Sequence, residues 1–98
     1  MAIIGQKMIG KDSWVELDGL TVTSPQGSSV TISVDATKTY QIQNKGFQPC
    51  FVCDTASTPT TENAVFLSPL FTDVYQPETG IKKYYKSTGN SVLVVSSN

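Results

Sequence analysis

No stretch of ten or more residues in this chain keeps a 3.6-residue apolar period without a Gly or Pro inside it. Helices need that period, so no long helix is expected. Short β-branched and aromatic runs recur instead, every 8–12 residues or so, with turn residues between them. Val30-Thr31-Ile32-Ser33-Val34 is the cleanest: Val30, Ile32 and Val34 face one way, Thr31 and Ser33 the other. That is a strand with one wet face. Strands at this spacing predict an all-β fold with little or no helix. The expected architecture is a small antiparallel β-sandwich or barrel, jelly-roll or Ig-like.

The other runs follow from the same rule. Tyr40-Gln41-Ile42-Gln43 alternates, meets Asn44-Lys45-Gly46, and is followed by Cys50-Phe51-Val52-Cys53. Two such runs around turn residues predict a β-hairpin or its near relative over Thr39–Asp54. Trp14–Leu17 and Leu20–Val22 flank Asp18-Gly19, a pair suited to a tight hairpin turn. Ser24–Ser28, with Pro25 and Gly27, reads as a loop. Thr55–Asn63 is polar, Thr-rich and broken by Pro59, which predicts a long surface loop, where contacts concentrate. Ala64–Leu67 is a short strand, and Leu70–Tyr75 is apolar but irregular. Ile81–Ser87 and Ser91–Ser96 form an expected closing hairpin about Thr88-Gly89-Asn90. The continuous run Val92–Val95 predicts a strand that is central or covered by a partner.

Length and charge narrow the function classes. At 98 residues the chain is one domain. Residues 13–98 read as a single β-domain, and residues 1–12 as an N-terminal arm or first edge strand carrying Ile3, Ile4, Met8 and Ile9. Net charge is −1 and no block of like charge exists, so no nucleic-acid partner is expected. No apolar run approaches the ~20 residues that span a bilayer. The start lacks a basic region followed by a long apolar one, so retention in a cytoplasm, or in something assembled there, is expected. A near-neutral surface favours self-association.

Four groups could carry chemistry. Cys50 and Cys53 form a C-x-x-C, but in a strand-like run residues three apart face opposite ways, which suits neither a bridge nor a redox pair. A zinc site needs two more ligands, and no His or third Cys exists in the chain. Both are expected to be small buried side chains, unless subunits share a metal or disulfide. The eight carboxylates sit mostly at turns; Asp54 and Asp73 can be imagined as a pair, but nothing in the sequence joins them. Adjacent Tyr84 and Tyr85 predict one core ring and one surface or interface ring, with Lys82 and Lys83 guarding an edge. Trp14 reads as a core anchor or an interface hot spot. No catalytic residue, metal site or cofactor is expected, and the chain reads as a non-enzyme.

The order of features from Lys38 to Ser96 resembles a group of small tailed-bacteriophage virion proteins. The resemblance rests on the strand Tyr40-Gln41-Ile42-Gln43-Asn44, the apolar strand after it, the polar loop Thr55–Pro59, the strand Gly80–Ser87 and the Val-rich Ser91–Ser96. It covers about the last sixty residues, and departs at Cys50, Cys53 and the first 35 positions. It implies a non-enzymatic structural protein of the virion, assembled in the bacterial host cytoplasm: a capsid decoration or cement protein, or a head–tail or fibre-attachment component. Its partners would be capsid or head–tail proteins, bound as a homo-oligomer. Candidate interface residues are Ile3, Ile4, Met8 and Ile9 in the arm, then Trp14, Thr58, Pro59, Thr60 and Tyr85. The alternative is a carbohydrate- or cell-surface-binding β-sandwich, with the 55–63 loop and Tyr75, Tyr84 or Tyr85 as contact surface. A small enzyme or redox protein built on Cys50 and Cys53 ranks third.

Overall fold

A computed structural model describes residues 1–98. The chain is all-β, with 48% of residues in strands and a single 3-10 turn at Thr61–Asn63. The strands are β1 (Ala2–Ile9), β2 (Val15–Glu16), β3 (Thr21–Thr23), β4 (Ser29–Thr31) and β5 (Tyr40–Asn44). They continue as β6 (Cys50–Thr55), β7 (Val65–Leu67), β8 (Thr72–Tyr75), β9 (Lys82–Ser87) and β10 (Ser91–Ser97). Two antiparallel sheets result, a six-stranded one ordered β4-β3-β1-β10-β5-β8 and a four-stranded one ordered β2-β9-β6-β7. Both sheets have open edges, so of the two expected architectures the molecule is a sandwich.

The core lies between the sheets. Ile42, Leu93 and Val95 point inward from the larger sheet, and Cys50, Val52, Leu67 and Tyr85 from the smaller. Burial alternates along Tyr40–Asn44, Lys82–Ser87 and Ser91–Ser97. Val30 and Val34 pack against the cluster and Ile32 joins it, as their alternation predicts. β10 is central, as its Val run predicts, though Val92 and Val94 on its outer side are only half-buried.

Three expected hairpins are instead crossings between the sheets. β5 and β6 do not pair: β5 lies between β10 and β8, and β6 between β9 and β7. Asp18-Gly19 carries the chain from β2 to β3 in the other sheet, with Gly19 at φ 87°. Thr88-Gly89-Asn90 carries it from β9 to β10. Turn residues set a local bend, and the bend serves a crossing as readily as a hairpin. True hairpins join β3 to β4 through Ser24–Ser28, and β6 to β7 through the Thr-rich loop. The N-terminal segment is neither an arm nor an edge strand. β1 pairs with β10 over nearly its whole length and with β3 on its other side. Gly5 allows that closeness, because a Cβ there would lie 2.5 Å from the Thr23 carbonyl oxygen.

Candidate functional site

Two places gather chemistry that the fold does not need for packing alone: a charge cluster between the sheets, and an apolar end built around Asn44.

The charge cluster begins with Lys83. β9 lies between β2 and β6, so it is no edge, and alternation turns Lys83 and Tyr85 inward while Tyr84 looks out. Lys83 is only 4% exposed, which corrects its expected role as an edge guard. Its Nζ donates to Asp54 Oδ1 at 2.8 Å and to Asp73 Oδ2 at 3.0 Å. Asp54 is its direct cross-strand partner on β6. Asp73 reaches in from β8, at the edge of the opposite sheet, beside Ile42. The fold therefore joins Asp54 and Asp73 through a lysine, across the sandwich. Tyr85 Oη donates to the same Asp73 Oδ2 at 2.9 Å, and the Tyr75 ring lies 5.1 Å from Nζ. Burial pushes the Tyr85 hydroxyl well above its ordinary value, and the negative charge of Asp73 adds to that. Burial also raises Tyr75. A cleft of about 330 Å³ opens beside the cluster, lined by Asp54, Tyr75, Glu78, Ile81 and Lys83 among others.

The apolar end is organised by Asn44, which is fully buried at the end of β5. Its Nδ2 donates to the carbonyls of Gln48 at 2.8 Å and Leu67 at 3.0 Å. Its Oδ1 accepts from Gly46 N–H at 3.1 Å and Ser91 Oγ at 2.5 Å. Its main chain donates to Phe71 O at 3.0 Å and accepts from Leu70 N–H at 2.6 Å. One residue, through its side chain and its main chain, thus ties the segments 45–48 and 67–71 to the start of β10. Yet the residues held this way are apolar and open to water: Phe47 is 95% exposed, Leu70 67% and Phe71 66%. Leu70 sits at φ 70°, an unfavourable backbone conformation for a residue with a branched side chain.

The residues singled out from sequence scatter across the molecule. Ile3 and Met8 are exposed, Ile4 is half-buried against the core, and Ile9 is in the core. Trp14 is half-buried on the outer face of the smaller sheet, 6.3 Å from Phe51, which lies 4.8 Å from Phe66; Lys86 sits over the Trp14 ring. Thr58 and Thr60 are exposed and Pro59 half-buried in the β6–β7 loop. Tyr85 is fully buried, so it cannot serve as an interface residue; Tyr84 is the outward ring. Cys50 belongs to the core cluster, while Cys53 pairs with Tyr84 on the other face; both are buried free thiols. Burial raises the Cys50 thiol, with weaker opposing hydrogen bonds from Ser91 and Ser87. The sequence offered no sign of the Asn44 hub beyond a turn at Asn44-Lys45-Gly46. Exposed Phe47 and Phe71 were legible only as apolar residues next to turns.

No protein-family model, curated protein or solved structure matches this chain.

Proposed function

We propose that this chain is a non-enzymatic structural protein that works by docking onto a protein lattice, in the manner of a phage decoration or adaptor component. The observation that carries this reading is the apolar end: Phe47, Leu70 and Phe71 held in the open by a saturated buried asparagine. Exposed apolar side chains contribute nothing to the stability of an isolated domain. A left-handed Leu costs on the order of 1–3 kcal/mol. Rigid loops carrying exposed aromatic anchors are what a partner surface uses, because little ordering entropy remains to be lost on binding. The resemblance over Lys38–Ser96 gives the kind of partner, a capsid or head–tail protein, and assembly as a homo-oligomer.

The test is a double variant, Phe47→Asp with Phe71→Asp, compared with wild type by light scattering on a sizing column and by binding to particles. Its thermal unfolding should match wild type within a few degrees, since neither ring is buried. Self-association or particle binding should fall at least tenfold. A strictly monomeric wild type that binds no particle component would contradict the reading. Finding the gene beside portal, terminase and major capsid genes would support it.

The aromatic row Trp14–Phe51–Phe66 favours a second reading, a carbohydrate-binding module. Its contact surface would be that row and not Tyr75 or Tyr85, which lie in the core. A glycan array with wild type and Trp14→Ala would distinguish the two.

A further inference from the structure

We propose that Lys83 and Asp73 condense to an isopeptide bond that staples the two sheets together. The inference rests on where the three charged groups sit. Lysine is almost never this buried unless paired, because a charge held between two sheets loses most of its hydration. Here the ammonium, 4% exposed, lies 3.0 Å from an oxygen of Asp73 on the opposite sheet. That oxygen is bonded to Cγ, the atom to be attacked, and groups held in near-attack geometry reach effective molarities of roughly 10⁵–10⁸ M. That is enough to drive an amide condensation that dilute amines and acids do not complete.

The second carboxylate supplies what such a reaction requires. Asp54 Oδ1 lies 2.8 Å from the same Nζ and its side chain is 54% exposed, against 24% for Asp73. It is placed to take a proton from the ammonium and return it to the departing oxygen. Tyr85 Oη donates to Asp73 Oδ2 at 2.9 Å, so a donor already faces the oxygen on which charge builds during attack. In the step, Nζ attacks Cγ of Asp73, the Nζ–Cγ bond forms and one Cγ–O bond breaks. The ammonium sheds two protons, the departing oxygen leaves with both as water, and the ion pair becomes a neutral amide. No oxidant, metal or co-reactant enters. Asp73 is the electrophile because it is the less solvated carboxylate and carries the Tyr85 hydrogen bond. The product links β9, inside the smaller sheet, to β8, at an edge of the larger.

Intact-mass spectrometry of the purified full chain tests this directly. The expected mass is 18 Da below that of the sequence, and it persists in denaturant. Trypsin should then leave the fragment 46–82 joined to 83–86 through a branch at Lys83, with no cleavage after Lys83. Asp73→Ala should return the full mass. Asp54→Asn should leave a larger share of molecules uncondensed. A wild-type mass equal to the sequence mass overturns the proposal, and needs no variant to fold. A branch mapped to Asp54 overturns the assignment of Asp73.

Discussion

At the scale of single residues, Asn44 and Tyr85 matter most, and for opposite reasons. Asn44 uses both side-chain donors and its acceptor within the protein. Asn44→Ala would leave two carbonyls, an amide and a hydroxyl to find other partners, each costing about 1–3 kcal/mol if buried and unmet. With some of these reached by water, a net loss of about 3 kcal/mol is expected, seen in thermal unfolding as a drop of roughly 12–24 °C. Tyr85 instead makes stability depend on pH. Its hydroxyl is raised in the folded state, so the folded protein resists losing that proton while the unfolded chain loses it near pH 10. The contribution is fully present below pH ~10 and is lost as pH climbs from there toward the raised folded value. Denaturant unfolding at pH 8 and pH 11 should show a steeper alkaline loss for wild type than for Tyr85→Phe, which cannot ionise.

At the scale of strands, the position of β1 decides what the N-terminus contributes. Its register with β10 runs from Ala2 opposite Ser97 to Ile9 opposite Ser91, with a bulge near Ile4. It also fills the gap between β10 and β3. Removing residues 1–9 would strip one whole side of β10 and detach the β3–β4 hairpin. The expected result is loss of a cooperative unfolding transition by circular dichroism. An arm that merely rests on a neighbour would leave that transition intact. The sequence made β1 visible as an apolar run and β10 as a Val-rich one. It could not say that they pair, because alternation reports which face a residue takes and not which strand lies alongside. The same limit explains the three turns read as hairpins. Lys83 shows it most sharply. Beside Lys82 it looks like half of a solvated pair, and only the placement of β9 between β2 and β6 makes one of the two lysines internal.

At the scale of the molecule, the strand-to-strand path is what the sequence left least visible. β1–β2, β2–β3, β5–β6, β7–β8, β8–β9 and β9–β10 all pass from one sheet to the other, so most connections stitch the layers together and few build within one. The class was readable from periodicity and turn spacing; the wiring was not, because turn residues permit a crossing as readily as a hairpin. Because crossings dominate, residues distant in sequence meet everywhere in the core. Asp54, Asp73 and Lys83 come together from three strands in this way, and neither carboxylate signalled it.

The pairing of β1 with β10 has a consequence for biosynthesis. The first strand to be made must wait for the tenth before its main partner exists, and β5 waits for the same strand on its other side. At about 5–20 residues per second, the centre of the larger sheet stays open for several seconds of translation, with Ile9, Ile42 and their neighbours lacking cover. The four-stranded sheet waits almost as long, because its β9 ends at Ser87 and β10 begins at Ser91. Neither layer can therefore be completed until β9 and β10, adjacent in the chain, have both emerged, and the two sheets close nearly together.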